Sequence, residues 1–191
     1  RQAAQSTAPC GWGIDMSSGP ETLLPQLARA KGVALATRLR VQWELQYGEQ
    51  SAARDDLLAT FALARNLARD GTLISTHVQF AMEAIESFTL AAHFGQFSPE
   101  TLQQLADGLG ALPAERTIAE SVGTEKALFL DWTRRKVLEL QRQNPGNDAR
   151  VMTGIHQMLG FQDEVEEQSN LWQRIRTAAG GTSDGILSLL N

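Results

Sequence analysis

The residues of this 191-residue chain whose types and spacing could do chemistry gather in one stretch. Between Gly71 and Pro99 the only charged side chains are Glu83 and Glu86, and His93 stands one heptad beyond Glu86. Helix positions three apart are surface neighbours, so the two carboxylates project from adjoining points of one face. A helix otherwise apolar on nearly all sides is predicted to be central and buried. Buried carboxylates are costly unless paired or hydrogen-bonded. Either an arginine of a flanking helix satisfies them, with Arg38, Arg40, Arg54 and Arg65 available, or Glu83, Glu86 and His93 line a polar pocket. Structural pairing is the default, a ligand pocket comes second and carboxylate catalysis third. On the default, Glu83→Gln lowers stability more than Glu100→Gln.

Other constellations carry less. His77, His93 and His156 form no His-x-x-x-His pair, and no Glu-x-x-His occurs, so metal binding has no support and no cofactor is expected. Gly181-Thr-Ser183-Asp-Gly185 matches the form of a nucleophile elbow. That chemistry needs a strand before the serine and an acid and a histidine after it. Here a helix precedes and no Asp, Glu or His follows Gly185, so the match reads as a helix end and a cap. Trp132-Thr-Arg134-Arg135-Lys136 reads as a solvated face with Trp132 turned inward, since neighbouring residues on a helix point in different directions. Cys10, the only cysteine, reads as an inert packed thiol.

The elements that must position these residues are helical. Leu and Ala supply 25 residues each, Val and Ile only 7 each, a balance that favours helices over strands. Ser18 and Glu21 have capping-box spacing and predict a first helix running to Tyr47, with Pro25 and Gly32 as weak points. Further helices are predicted over 51–69, 72–94, from Ser98-Pro99-Glu100 to about Gly108, from Pro113 to Asn144, over 148–159 and over 163–179, with a short one after Ser183. The fold expected is all-α, with seven or eight helices in an antiparallel bundle or a short tetratricopeptide-like superhelix around a buried central helix at 72–94. Only residues 34–67 fit a tetratricopeptide-like unit, and a generic helical hairpin fits them as well.

Length predicts one domain over residues 18–191 behind an N-terminal arm, residues 1–17, in which Trp12 anchors the arm and Asp15 caps a turn. With 17 basic against 22 acidic side chains, the formal charge of −5 argues against a nucleic-acid partner. No run reaches the apolar length of a membrane span. The chain opens on Arg1 with a polar, small-residue stretch, which reads as a spacer behind a removed signal peptide or anchor, or as a trimmed end.

The order Cys10-Gly-Trp12-Gly-Ile-Asp15, Gly19-Pro20 with Leu23-Leu24-Pro25, Asp56-Leu-Leu-Ala59 with Leu63-Ala-Arg65, Leu73-Ile-Ser75, then Glu125 with Phe129-Leu-Asp131-Trp132 resembles a family of uncharacterised exported bacterial helical proteins, over roughly residues 10–140. The resemblance implies an extracytoplasmic or periplasmic location and a membrane-targeting segment upstream of Arg1; it implies no activity. The function expected is a non-enzymatic helical scaffold that binds a protein or peptide partner in the bacterial envelope. The alternative is a small-molecule-binding domain with its pocket near Glu83, Glu86 and His93.

Overall fold

A computed structural model describes residues 12–160 and 166–191. Among these there are eight α-helices and no strand, so the chain is all-α, as its Leu and Ala content predicts. The helices are α1 (Pro25–Gln46), α2 (Gln50–Leu67), α3 (Leu73–His93), α4 (Pro99–Gly110), α5 (Ile118–Gln143), α6 (Asp148–Met158), α7 (Glu166–Ala178) and α8 (Ser183–Leu189). Cys10, most of the arm, and the predicted start of the seventh helix at 163 lie outside the described residues.

Where helices begin follows from which side chains meet the orphan backbone N–H groups. The Ser18–Glu21 spacing does not open α1. Those residues fall in a 3-10 segment, Met16–Glu21, broken at Gly19 (φ 60°, ψ −132°). Pro25, expected to weaken the helix, is its first residue, where a missing N–H costs nothing. Ser98 opens α4 as expected, its Oγ accepting from Thr101 N at 3.2 Å. α5 begins at Ile118 rather than Pro113 because Thr117 and Glu120 form a capping box. Thr117 Oγ1 accepts from Glu120 N at 3.2 Å, and the Glu120 carboxylate accepts from Thr117 N at 2.8 Å.

The stretch read as one domain, 18–191, comprises two compact units. The first is built on Glu21–Glu125 with the described residues before Met16; the second joins Met16–Pro20 to Lys126–Asn191. In the first, α2 touches α1, α3 and α4, and α1 also touches α3. Gly48 (φ 78°) takes the left-handed turn between α1 and α2. Leu27, Ala30 and Ala34 of α1 pack with Ala64 and Leu67 of α2 and Met82 of α3. A second cluster joins Val41 and Leu45 to Ala53, Leu57, Phe97 and Leu105. Fully buried Ala34, Ala53 and Ala64 leave room for the helices to approach closely. Trp12 packs on the first cluster and donates from Nε1 to the Asn66 carbonyl at 3.1 Å, which anchors the arm as expected.

In the second unit Val137, Val151, Met152, Ile155, Trp172, Ala179 and Ile186 form the core. Trp132 is buried there, while Arg135 and Lys136 pair with Asp131 and Glu139 on the surface. Ser183 stands in the first turn of α8 behind its N-cap Thr182, and its Oγ donates to Asp148 at 2.8 Å. The Gly-x-Ser-x-Gly match is therefore a helix start. Gly185 lies so close to the Ala179 carbonyl that no β-carbon fits between them.

Candidate functional site

The polar interior of the first unit is built from the start of α3 onward. Asp70 ends the turn before that helix and accepts from Thr72 N at 2.9 Å, Thr72 Oγ1 at 3.1 Å and Ser75 Oγ at 2.6 Å. Thr72 in turn caps Ser75 N. These bonds fix the rotation of α3, and that rotation sets Ser75, Thr76, Gln79, Met82, Glu86 and Thr89 inward. At 3.6 residues per turn these positions share one face of the helix. The expected burial of helix 72–94 therefore holds for one face only. The opposite face carries Ile74, Phe88 and, just beyond the helix, Phe94, all well exposed.

Along the buried face the polar groups are met to different degrees. Thr76 Oγ1 lies 2.6 Å from Ser121 Oγ, which also accepts from Arg116 Nε. Glu83 accepts from Arg65 Nε at 3.2 Å and from Gln79 Nε2 at 3.5 Å. Arg65, on α2, also donates to the Pro113 carbonyl at 2.9 Å, so one guanidinium ties α3 to the segment before α5. Of the four candidate arginines, Arg65 is the one that pairs with Glu83, as the structural default requires. Burial raises the Glu83 pKa, with Arg65 acting in the opposite direction.

Glu86 is different. It is fully buried, and neither of its carboxyl oxygens has a hydrogen-bond partner among the described residues. Burial, with the Asp56 carboxylate of α2 adding to it and Arg38 of α1 opposing it, pushes its pKa up to about 8. Glu86 is thus a neutral acid at pH 7. Asp56 itself pairs with Arg40 Nε at 2.9 Å, and Arg40 also pairs with buried Glu44 at 3.1 Å. Arg54 turns to Asp55 and Gln104 instead.

His93 closes α3 half-exposed, its Nδ1 3.1 Å from Gln96 Nε2. The three sequence-predicted residues therefore occupy three environments: Glu83 ion-paired, Glu86 buried and protonated, His93 at the rim. Glu83→Gln should lower the melting temperature, with a loss of about 1 kcal/mol for the charge-assisted bond to Arg65. Glu100 is fully exposed in the first turn of α4, held below the usual carboxylate range by its own backbone N–H and Ser98. Glu100→Gln should therefore change the melt less; equal melting temperatures would remove Glu83 from any buried network.

The second unit holds an open cavity of about 400 Å³ lined by Ala149, Met152, Thr153, His156, Trp172, Arg176 and Gly181. The rings of His156 and Trp172 stack there at 4.9 Å, 5° from parallel. Sequence reading missed this pair because the partners lie 16 residues apart on different helices. Among the described residues no three His, Cys, Asp or Glu side chains converge as a metal-ligand set. Nor is any described helix long and apolar enough to cross a membrane. Compared with family models, curated proteins and solved structures, the chain matches none.

Proposed function

We propose that this chain is a non-enzymatic helical interaction module of the bacterial envelope that holds a protein partner on the outward face of α3. The observation that carries the reading is the inversion of that helix. Most of its polar side chains turn inward while Phe88 is 75% exposed and Ile74 50%. Because Glu83 and Glu86 turn away, the outward face from Gly71 to Pro99 carries no acid, and its basic groups are His77 and, half-exposed at the helix end, His93. Exposed Ala84, Ala91 and Ala92 beside Phe88 offer the small, uncharged relief on which another helix can lie closely. An aromatic anchor among small residues is also what a protein interface tends to bury at its centre.

The envelope location rests on the resemblance of residues 10–140, and so does membrane attachment, which that resemblance implies through a targeting segment. A small-molecule reading draws its support from the cavity beside His156 and Trp172, not from Glu83, Glu86 and His93.

A photo-crosslinking amino acid at position 88, with a control at exposed position 139, tests the reading in cells that produce this chain. One discrete protein adduct should form from position 88 alone and vanish when Ile74 and Ala84 are changed to Asp. Adducts of equal yield from both positions would sink the proposal.

A further inference from the structure

The outward face of α1 differs in character from that of α3. α1 buries Leu27, Ala30, Ala34, Val41, Glu44 and Leu45 against the unit. On its other side Leu35, Leu39, Trp43 and, at the C-cap just beyond the helix, Tyr47 recur every four residues and are all exposed, Leu39 by 67% and Tyr47 by 68%. Steps of four residues on a 3.6-residue turn make a continuous ridge, about 18 Å long from Leu35 to Tyr47. Trp43 and Tyr47 lie ring against ring at 4.8 Å, so the end of the ridge is an aromatic pair.

Charge sorts around this ridge in a definite way. α1 carries four cations, Arg29, Lys31, Arg38 and Arg40, all exposed, and one acid, Glu44, which is buried and paired with Arg40. By helical rotation Arg29 falls on one flank of the ridge and Lys31 and Arg38 on the other, and these three are the cations offered to phosphate; Arg40, on the Arg29 flank, is already held by Glu44 and Asp56. The outward face therefore has cations on both sides of an apolar line and no acid, in a chain whose net charge is −5.

We propose that this face of α1 docks in the plane of an anionic lipid surface. A helix lying in a membrane interface sinks its apolar line to the level of the acyl chains, with Trp at that boundary. Long Lys and Arg stems lie along the apolar surface while their charged ends reach the phosphates. The α1 face has each of these parts in the required places: Leu35 and Leu39 for the acyl boundary, Trp43 and Tyr47 with polar tips for the headgroup level, and flanking cations for phosphate. The proposal is independent of the α3 reading, which concerns a different and uncharged face.

Co-sedimentation of the full chain with vesicles of phosphatidylcholine, with and without a phosphatidylglycerol fraction, tests it. The protein should bind the anionic vesicles, release at high salt, and show a blue-shifted tryptophan emission that Trp43→Phe abolishes. Leu39→Glu should weaken binding about tenfold, because it sets a charge in the middle of the apolar line. Leu39 is exposed, so helicity by circular dichroism should not change; if it does, Arg29→Gln with Lys31→Gln replaces it, and the same weakening is expected. Equal binding to neutral and anionic vesicles, no binding to either, or wild-type binding by the folded variants overturns the proposal. So does crosslinking of position 39 to a protein with no vesicle binding.

Discussion

The native chain should lose stability between about pH 5 and pH 8, and replacing Glu86 with Gln should abolish most of that loss. In the unfolded chain this carboxyl ionises near its ordinary value of 4.5; in the fold it keeps its proton up to about 8. Within that window the native state binds one more proton than the unfolded state, so stability falls as pH rises. Each pH unit costs about 1.4 kcal/mol, and the whole window several such increments. Above the folded pKa the loss is complete, and below 4.5 it is absent. Gln is nearly isosteric with the protonated acid, so the variant and the native chain should have similar stability at pH 5. At pH 8.5 the variant should be the more stable by several kcal/mol. Urea unfolding at the two pH values measures this, and the difference between the two proteins removes the contributions of all other groups. An unchanged gap between them across the range would mean that Glu86 is solvated or paired in solution.

Arg65→Met should be the most damaging single change among the polar residues of the first unit. It removes the partner of Glu83, leaving a largely buried carboxylate uncompensated, and it leaves the Pro113 carbonyl without its donor. Loss of one member of a buried ion pair is worth several kcal/mol; for a pair that keeps some access to water, about 2 kcal/mol at pH 7 is expected. The cost should shrink as pH falls, because burial raises the Glu83 pKa and the loss of Arg65 removes the group that opposes that rise, so the carboxyl is more readily neutralised. Adding Glu83→Gln should restore part of the loss, and the double-mutant cycle isolates the coupling. Additive losses would show that Arg65 acts through Pro113 alone.

Much of the architecture was legible because its signals are local. Ser98-Pro99-Glu100 states the start of α4 by supplying a cap, a fixed φ and a charge at the positive end of the helix. Thr117 and Glu120 state the start of α5 as plainly, by a reciprocal pair of bonds that outweighs the helix-opening tendency of Pro113. At α1 two local signals competed. The Ser18–Glu21 spacing lost because Gly19 takes a positive φ against the face of Trp132, which breaks the segment before α1 begins.

The sequence by itself determined that the chain is helical, where most helices end, and that Glu83 and Glu86 stand on one helix face with little other charge nearby. These follow from backbone propensity, capping chemistry and the 3.6-residue repeat, all of which act within a few residues. Only the tertiary structure decided which way that face turns. An apolar composition gives a helix no preferred side when both faces could be buried, so the bonds of Asp70 to Thr72 and Ser75 and the packing of Met82 against α1 and α2 selected the rotation. That choice sent Glu83 to Arg65, left Glu86 protonated beside Asp56, and placed Phe88 in solvent. The exposure of Leu35, Leu39, Trp43 and Tyr47 on α1 has the same origin: burial of one face is settled by helices far away in the chain, and no local pattern records it.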